Sequence, residues 1–307
     1  MDLSGLEKRI KEREVEIRSS ADKLKLLKDL EKYDGLDKIV YFQKLLDVLE
    51  EKNKNYKSIN LLSGFSKLDS MTKGFKEGQM IVISGPTGQG KSTLVRNLIE
   101  RFEKQSTISS LFSFENPANE VAYKFGENIP KFTVPMALKS GNLIWLKTRI
   151  LEAVAKFDAR VAFIDHLHYL MDMETISKLN NVSLAIGVTL RKLKEFAIDN
   201  RITIFLVSHM KMLKLESEPN IDDLRDSSFV GQEADLVIMM WRMMEKIGKS
   251  FENPSGRAFT TKTCLSLVKN RWTGELGKMI LSHDKGRFLE SENKYSEQTN
   301  GNDISFG

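Results

Sequence analysis

Cysteine is almost absent from this 307-residue chain, where Cys264 stands alone. One thiol can form neither a disulfide framework nor a cysteine-based zinc site, and its place in the apolar run Thr263–Val268 predicts a core residue. Long apolar runs are missing too. None approaches the roughly 18 residues of a membrane span. The first residues have no apolar signal core and many acidic side chains, which argues against a targeting peptide. A cytosolic protein is expected. Neither sign of charge dominates: 47 basic against 42 acidic residues leave +5 and a pI near 9.0. That balance permits a nucleic-acid partner and equally suits an ordinary solvated surface. With 41% hydrophobic and 29% charged residues, the chain suits one large domain of about 230 residues plus an appendage.

Proline is also absent from residues 1–57, which are dense in charge and helical in pattern. Leu3, Ile10, Ile17 and Leu24 recur every seven residues, but Arg13 and Ser20 occupy companion positions, so only half a coiled-coil seam is present. Asp34-Gly35 breaks the pattern, and an amphipathic segment, Leu36–Lys52, follows with Leu36, Ile39, Phe42, Leu46 and Leu49 on one face. A helix this short needs a surface to pack on, either the chain's own core or a neighbouring subunit. From residue 58 to about 290, apolar β-type runs alternate with helical stretches, which predicts an α/β fold with a mostly parallel, helix-covered sheet. The runs Thr263–Lys269 and Lys278–Ser282 are separated only by Asn270–Gly277, which predicts an antiparallel hairpin extension. Residues 291–307 form a polar, acidic tail expected to be disordered.

Within that alternation, residues 85–92 read GPTGQGKS and fit the phosphate-loop pattern G-x-x-x-x-G-K-[ST]. The apolar run Met80–Ser84 precedes it, and Thr93–Phe102 carries apolar residues at helical spacing. A glycine-rich turn between strand and helix aims backbone N–H groups at one point, where the helix dipole also favours an anion. Gly85, Pro86, Thr87, Gly88, Gln89, Gly90, Lys91, Ser92 and Thr93 are therefore the predicted nucleoside triphosphate cradle. Lys91 can reach the β/γ-phosphates, and Ser92 can ligate Mg²⁺.

Three further strand ends carry polar groups. VAFID ends in Asp165, placed to hold Mg²⁺ beside the γ-phosphate. LFSFENP carries Glu115, either a base for the attacking water or a surface glutamate before Pro117. ITIFLVSH ends in His209, which can sense the γ-phosphate or serve structure alone. Late in the chain, Lys269 and Arg271 alternate in VKNRWTGELG and so point the same way. Their distance from the phosphate loop in sequence suits an arginine finger given to a neighbour's nucleotide. The alternative is two solvated basic residues beside a hairpin.

In this order, the segments resemble the RecA-like motor domain of ring-forming replicative DNA helicases. The likeness is strongest to the phage primase-helicase and Twinkle branch, with bacterial DnaB more distant. It covers about Leu61 to Glu290. The entry segment SGFSKLDSMTKGFKEGQMIVISGPTGQGKSTL, FSFENP, VAFIDHLHYL, VSHMKM, DLRDSSFVGQEADLVIMMWR and VKNRWTGELG carry it. The resemblance implies ATP or another NTP with Mg²⁺ as cofactors and a hexameric ring on single-stranded DNA. It makes Lys91, Ser92 and Asp165 the phosphate and Mg²⁺ residues, with Glu115 the base and His209 the coupling sensor. Arg271 becomes the trans finger, with Lys269 as its auxiliary.

DNA contacts are expected from Lys211, Lys214 and Arg225 in the loop after His209, whose acidic residues leave a solvated mixed-charge loop as the alternative. With no cysteine cluster, the zinc-binding primase of the phage relatives is not expected, and Leu36–Lys52 falls where the family's linker helix docks on the adjacent subunit. The terminal Asn302–Gly307 resembles partner-recruiting peptides of replication proteins, or is an inert tail. Two other RecA-type readings stay open, a filament-forming recombinase and an assembly-switching ATPase that unwinds nothing.

Overall fold

A computed structural model describes residues 20–35, 38–54, 58–171, 181–210, 218–224, 227–248 and 257–291. The chain divides into two units between Lys57 and Ser58. In the first, charge-rich segments form α1 (Ser20–Glu31) and α2 (Phe42–Asn53). The predicted helix from Leu36 is shorter than expected. Tyr41 is extended at φ −62°, ψ 141°, and the β-branched pair Ile39-Val40 before it stays outside the helix. Phe42, Leu45, Val48 and Leu49 of α2 are exposed. Leu3, Ile10 and Ile17 lie outside the described residues.

The second unit runs β1 (Asn60–Leu61), α3 (Ser66–Thr72), β2 (Phe75–Lys76), β3 (Met80–Gly85) and α4 (Lys91–Lys104). It continues with β4 (Ser109–Ser113), α5 (Ala118–Phe125), β5 (Phe132–Thr133), α6 (Leu143–Phe157) and β6 (Val161–Asp165). Then come α7 (Val182–Asp199), β7 (Thr203–His209), α8 (Ser227–Glu233), β8 (Leu236–Lys246), β9 (Arg257–Asn270), β10 (Gly277–Asp284) and β11 (Arg287–Glu290).

Nine strands form one sheet in the order β11-β10-β9-β8-β3-β7-β6-β4-β5. From β8 to β5 every pairing is parallel, and β9, β10 and β11 add antiparallel strands. The antiparallel flank is wider than a hairpin, because β8 runs on past the parallel pairing to Lys246 and β11 adds an edge strand. Strands β3 and β6 are buried along their whole length and apolar up to Ser84 and Asp165, as a sheet covered on both faces requires.

One face packs on α3 and α4 through Phe65, Phe75, Phe102, Phe163 and Phe205. The other packs on α6 and α7 through Leu146, Ile150, Ile186, Leu190 and Leu193. Cys264 is buried on β9, where loss of hydration raises its thiol pKa to about 11. None of the described helices is long and apolar enough to cross a membrane.

This strand order sets the site. The strand with the phosphate loop and the strand ending in Asp165 are not neighbours, since β7 lies between them. The register puts His209 opposite Gly85 and Val207 opposite Asp165, while Ser113 of β4 also faces Asp165. Four strand ends therefore present polar groups along one edge of the sheet, where ligands of open α/β sheets bind.

Candidate nucleotide site

The phosphate loop bends on glycine. Gly90 caps α4 at φ +102°, a left-handed conformation that glycine adopts without strain. A Cβ built on Gly88 meets nothing within 4 Å, so that stretch of loop faces open space. Lys91 opens α4 and is buried; its Nζ donates to the Gly85 and Pro86 carbonyls at 2.8 and 2.9 Å. Burial lowers the ammonium pKa, and the carboxylates of Asp165 and Glu115 oppose that shift. The Ser92 hydroxyl lies 3.4 Å from Asp165 Oδ2. These two donors are oxygens, the set that suits Mg²⁺.

The remaining cradle residues divide. Thr87 and Thr93 line the cleft with Gly88, Gly90, Lys91 and Ser92. The Gln89 side chain instead accepts the Arg242 N–H of β8 at 2.7 Å, so it is turned to that strand.

Across the cleft, Glu115 is half-exposed and its Oε2 lies 2.5 Å from Nε2 of His166. His166 is buried, and its Nδ1 meets Oδ1 of Asp165 across a cis Asp165–His166 peptide bond. The ring of His209 stands edge-on to His166, centroids 4.0 Å apart. Its pKa is lowered, first by burial and then by the nearby His166 and Lys91, which favours the neutral ring. The cleft has a volume of about 260 Å³ and is also lined by Asn116 and Lys124. A larger cleft of about 440 Å³, beside Phe112, Met136, Trp145 and Phe157, holds none of these groups.

His166 and Lys124 have no counterpart among the site residues expected from sequence. His166 directly follows Asp165, yet a histidine beside a strand-end carboxylate carries no spacing signal. Lys124 reaches the cleft from α5, where its Nζ donates to Asn116 at 3.1 Å, a placement that depends on tertiary structure alone.

Lys269 and Arg271 stand at the opposite end of the sheet. Val237 is the partner of Lys269 in β9, and the adjacent Leu236 is the partner of Ile81 near the start of β3. Gly85 is four residues further along β3, about 13 Å away at roughly 3.3 Å per residue. Lys269 Nζ donates to the carbonyls of Gly231 and, at 2.6 Å, Ala234 at the end of α8. Arg271 donates to Gln232 O and lies 3.6 Å from Asp235 Oδ1, half-exposed. Lys211, Lys214 and Arg225 lie outside the described residues. Met210 and Leu224 bridge the base of that segment, immediately after His209.

This sheet order and cleft define a RecA-like phosphate-loop NTPase core. The family profile described as DnaB-like helicase C terminal domain matches residues 60–143 and 136–290, and the chain belongs to that family. A probable replicative DNA helicase of Trieres chinensis is 26% identical over 92% of this chain and 68% of its own length. The replicative DNA helicase DnaB of Mycoplasma pneumoniae is 26% identical over 71% of this chain and 54% of its own. The chain thus spans between about half and two thirds of these relatives. Among solved structures, a DnaB-like replicative helicase described with its primase interactions superposes at TM-score 0.62 with 19% identity, over 94% of this chain and 76% of that one. A second solved structure, described as an ATPase domain, superposes at 0.61 with 21% identity, over 81% of this chain and 98% of that one.

Proposed function

We propose that this chain is the motor of a replicative DNA helicase, an ATP-driven translocase that assembles as a six-membered ring on single-stranded DNA and separates duplex ahead of it in the 5′ to 3′ sense. The observation that carries the reading is the division of the catalytic groups between opposite ends of one sheet. Head-to-tail, heterologous contacts that close a ring bring one end of a subunit against the other end of its neighbour. Lys269 and Arg271 of one subunit then face the phosphate loop of the next, and each site is completed in trans.

In that arrangement, the loop from Gly85 to Thr93 holds the triphosphate by backbone N–H groups at the start of α4, and Lys91 moves its charge from the Gly85 and Pro86 carbonyls to the β/γ-phosphates. Ser92 and Asp165 would hold Mg²⁺, which when bound would supply Lewis-acid neutralisation of the phosphate oxygens. Glu115 accepts a proton from the attacking water. His209 touches the γ-phosphate end of the cleft and passes its state to the segment that begins at Met210, where Lys211, Lys214 and Arg225 meet DNA phosphates. Arg271, assisted by Lys269, stabilises the charge on the transferred group, a contribution worth roughly 10³–10⁵ in rate in systems with such a finger. The exposed face of α2 docks on the adjacent subunit.

Hydrolysis measured with and without single-stranded DNA, together with strand displacement on tailed forks, tests this reading. Stimulation by single-stranded DNA, unwinding that depends on a 5′ tail, and binding that weakens steeply with salt are expected. Hydrolysis indifferent to DNA with a fork left paired would leave an assembly-switching ATPase. Filaments in place of rings in electron micrographs would leave a recombinase.

A further inference from the structure

Beside the Mg²⁺ position lies a second convergence of donor atoms, with different chemistry. One oxygen of Glu115 and one ring nitrogen each of His166 and His209 lie within 4.8 Å of one another. We propose that these three side chains form a binding site for a transition-metal dication of the Zn²⁺ type, separate from the oxygen-only Mg²⁺ pair. Two imidazoles and a carboxylate are a donor set that Mg²⁺ avoids and Zn²⁺ accepts, and a site with three protein ligands leaves a fourth position for water.

His166 is the buried member of the three. Nδ1 of His166 and Oδ1 of Asp165 are buried side by side without a hydrogen-bond partner, and Nε2 is the nitrogen that faces Glu115, at 2.5 Å. His209 closes the third side from the end of β7, its ring 4.0 Å from that of His166. The fourth side opens on the cleft shared with Ser92 and Lys124. The Lys91 ammonium is turned to the Gly85 and Pro86 carbonyls.

Occupation has a consequence that rests on the function proposed above. A Zn²⁺ ion on Glu115 withdraws the carboxylate that water activation requires, and it pins His209 at the same time. Zn²⁺ should then inhibit hydrolysis even when Mg²⁺ is saturating.

The test is a titration of the nucleotide-free chain with Co²⁺ in excess Mg²⁺, read by the visible absorption of four-coordinate cobalt, followed by displacement with Zn²⁺. The wild-type chain is expected to develop the bands and lose them to Zn²⁺. Glu115→Gln and His209→Asn should each weaken Co²⁺ binding at least tenfold, whereas His283→Gln, on β10, should leave it unchanged. Glu115 is half-exposed, so its variant should fold, as a melting curve would verify. Absence of bands in the wild type, or equal affinity in the Glu115 and His209 variants, overturns the site without touching the helicase reading. Bands that respond to those variants, in a protein whose hydrolysis ignores Zn²⁺, establish the site and count instead against the role given to Glu115.

Discussion

Gly85 ends β3 with its α-carbon pressed against the backbone of β8. A Cβ at this position would lie 2.0 Å from the Met240 carbonyl oxygen, and the local φ of +154° is one that side chains rarely adopt. Neither a strand carbonyl nor a ladder-bound backbone can step aside cheaply. Gly85→Ala is therefore expected to lose about 2–4 kcal/mol of stability, the range of backbone strain combined with overpacking, read as a lower urea midpoint. An unchanged midpoint would mean that β8 yields freely. At this scale the sequence is a good guide wherever chemistry fixes the spacing. The glycines, Lys91 and Ser92 sit where the phosphate-loop pattern places them, between a buried strand and a helix start. Side-chain direction is a different matter. Nothing in GPTGQGKS says that Gln89 turns to the Arg242 N–H, because that bond depends on a strand 153 residues away. The same limit hides His166, whose neighbour Glu115 arrives from the end of a different strand.

Among the elements, Asp235 joins four pieces of the fold. It precedes β8, and its Oδ2 accepts the Met80 N–H of β3 at 2.7 Å and the Lys194 ammonium of α7 at 2.5 Å. Its Oδ1 faces Arg271 after β9 at 3.6 Å. Both Asp235 and Lys194 side chains are largely buried, at 11% and 15% exposure, so removing one charge strands the other. Breaking such a pair typically costs about 3–5 kcal/mol. Asp235→Ala should approach the lower end, because Lys194 keeps the Gly78 carbonyl at 2.8 Å. Adding Lys194→Met to Asp235→Ala should recover more than half of the loss in urea unfolding, since the stranded charge is then gone. No recovery would place the cost in the Met80 bond instead. Elements were legible in proportion to their apolar periodicity. The buried runs that became β3, β4, β6 and β7 announce themselves, whereas β11 alternates in RFLE with only Phe288 buried and follows a tight turn at Gly286. A four-residue edge strand of that kind carries too little pattern to be read without the strand it pairs with.

For the whole molecule, the separation of Lys91 from Arg271 along the sheet decides how activity should respond to mixing. Lys91 sits past the end of β3, and Arg271 hydrogen-bonds through its backbone N–H to Asp235 O at 2.8 Å, before the start of β8. In the proposed head-to-tail ring the two ends belong to different interfaces. Lys91→Ala should abolish hydrolysis by removing the charge on the β/γ-phosphates. Arg271→Ala should reduce it by roughly 10³-fold or more, as loss of a trans finger does. Neither variant alone has an intact site. In rings assembled from equal amounts of both, an interface pairing the phosphate loop of an Arg271→Ala chain with the finger of a Lys91→Ala chain is whole. Random assembly makes that pairing about a quarter of all head-to-tail contacts. Phosphate release from the mixture should therefore rise far above that of either variant, once co-assembly is verified by a tag carried on one chain only. If co-assembled rings stay inactive, Arg271 does not serve the neighbour. The position of Lys269 and Arg271, hydrogen-bonded to the carbonyls at the end of α8, would then be their working position.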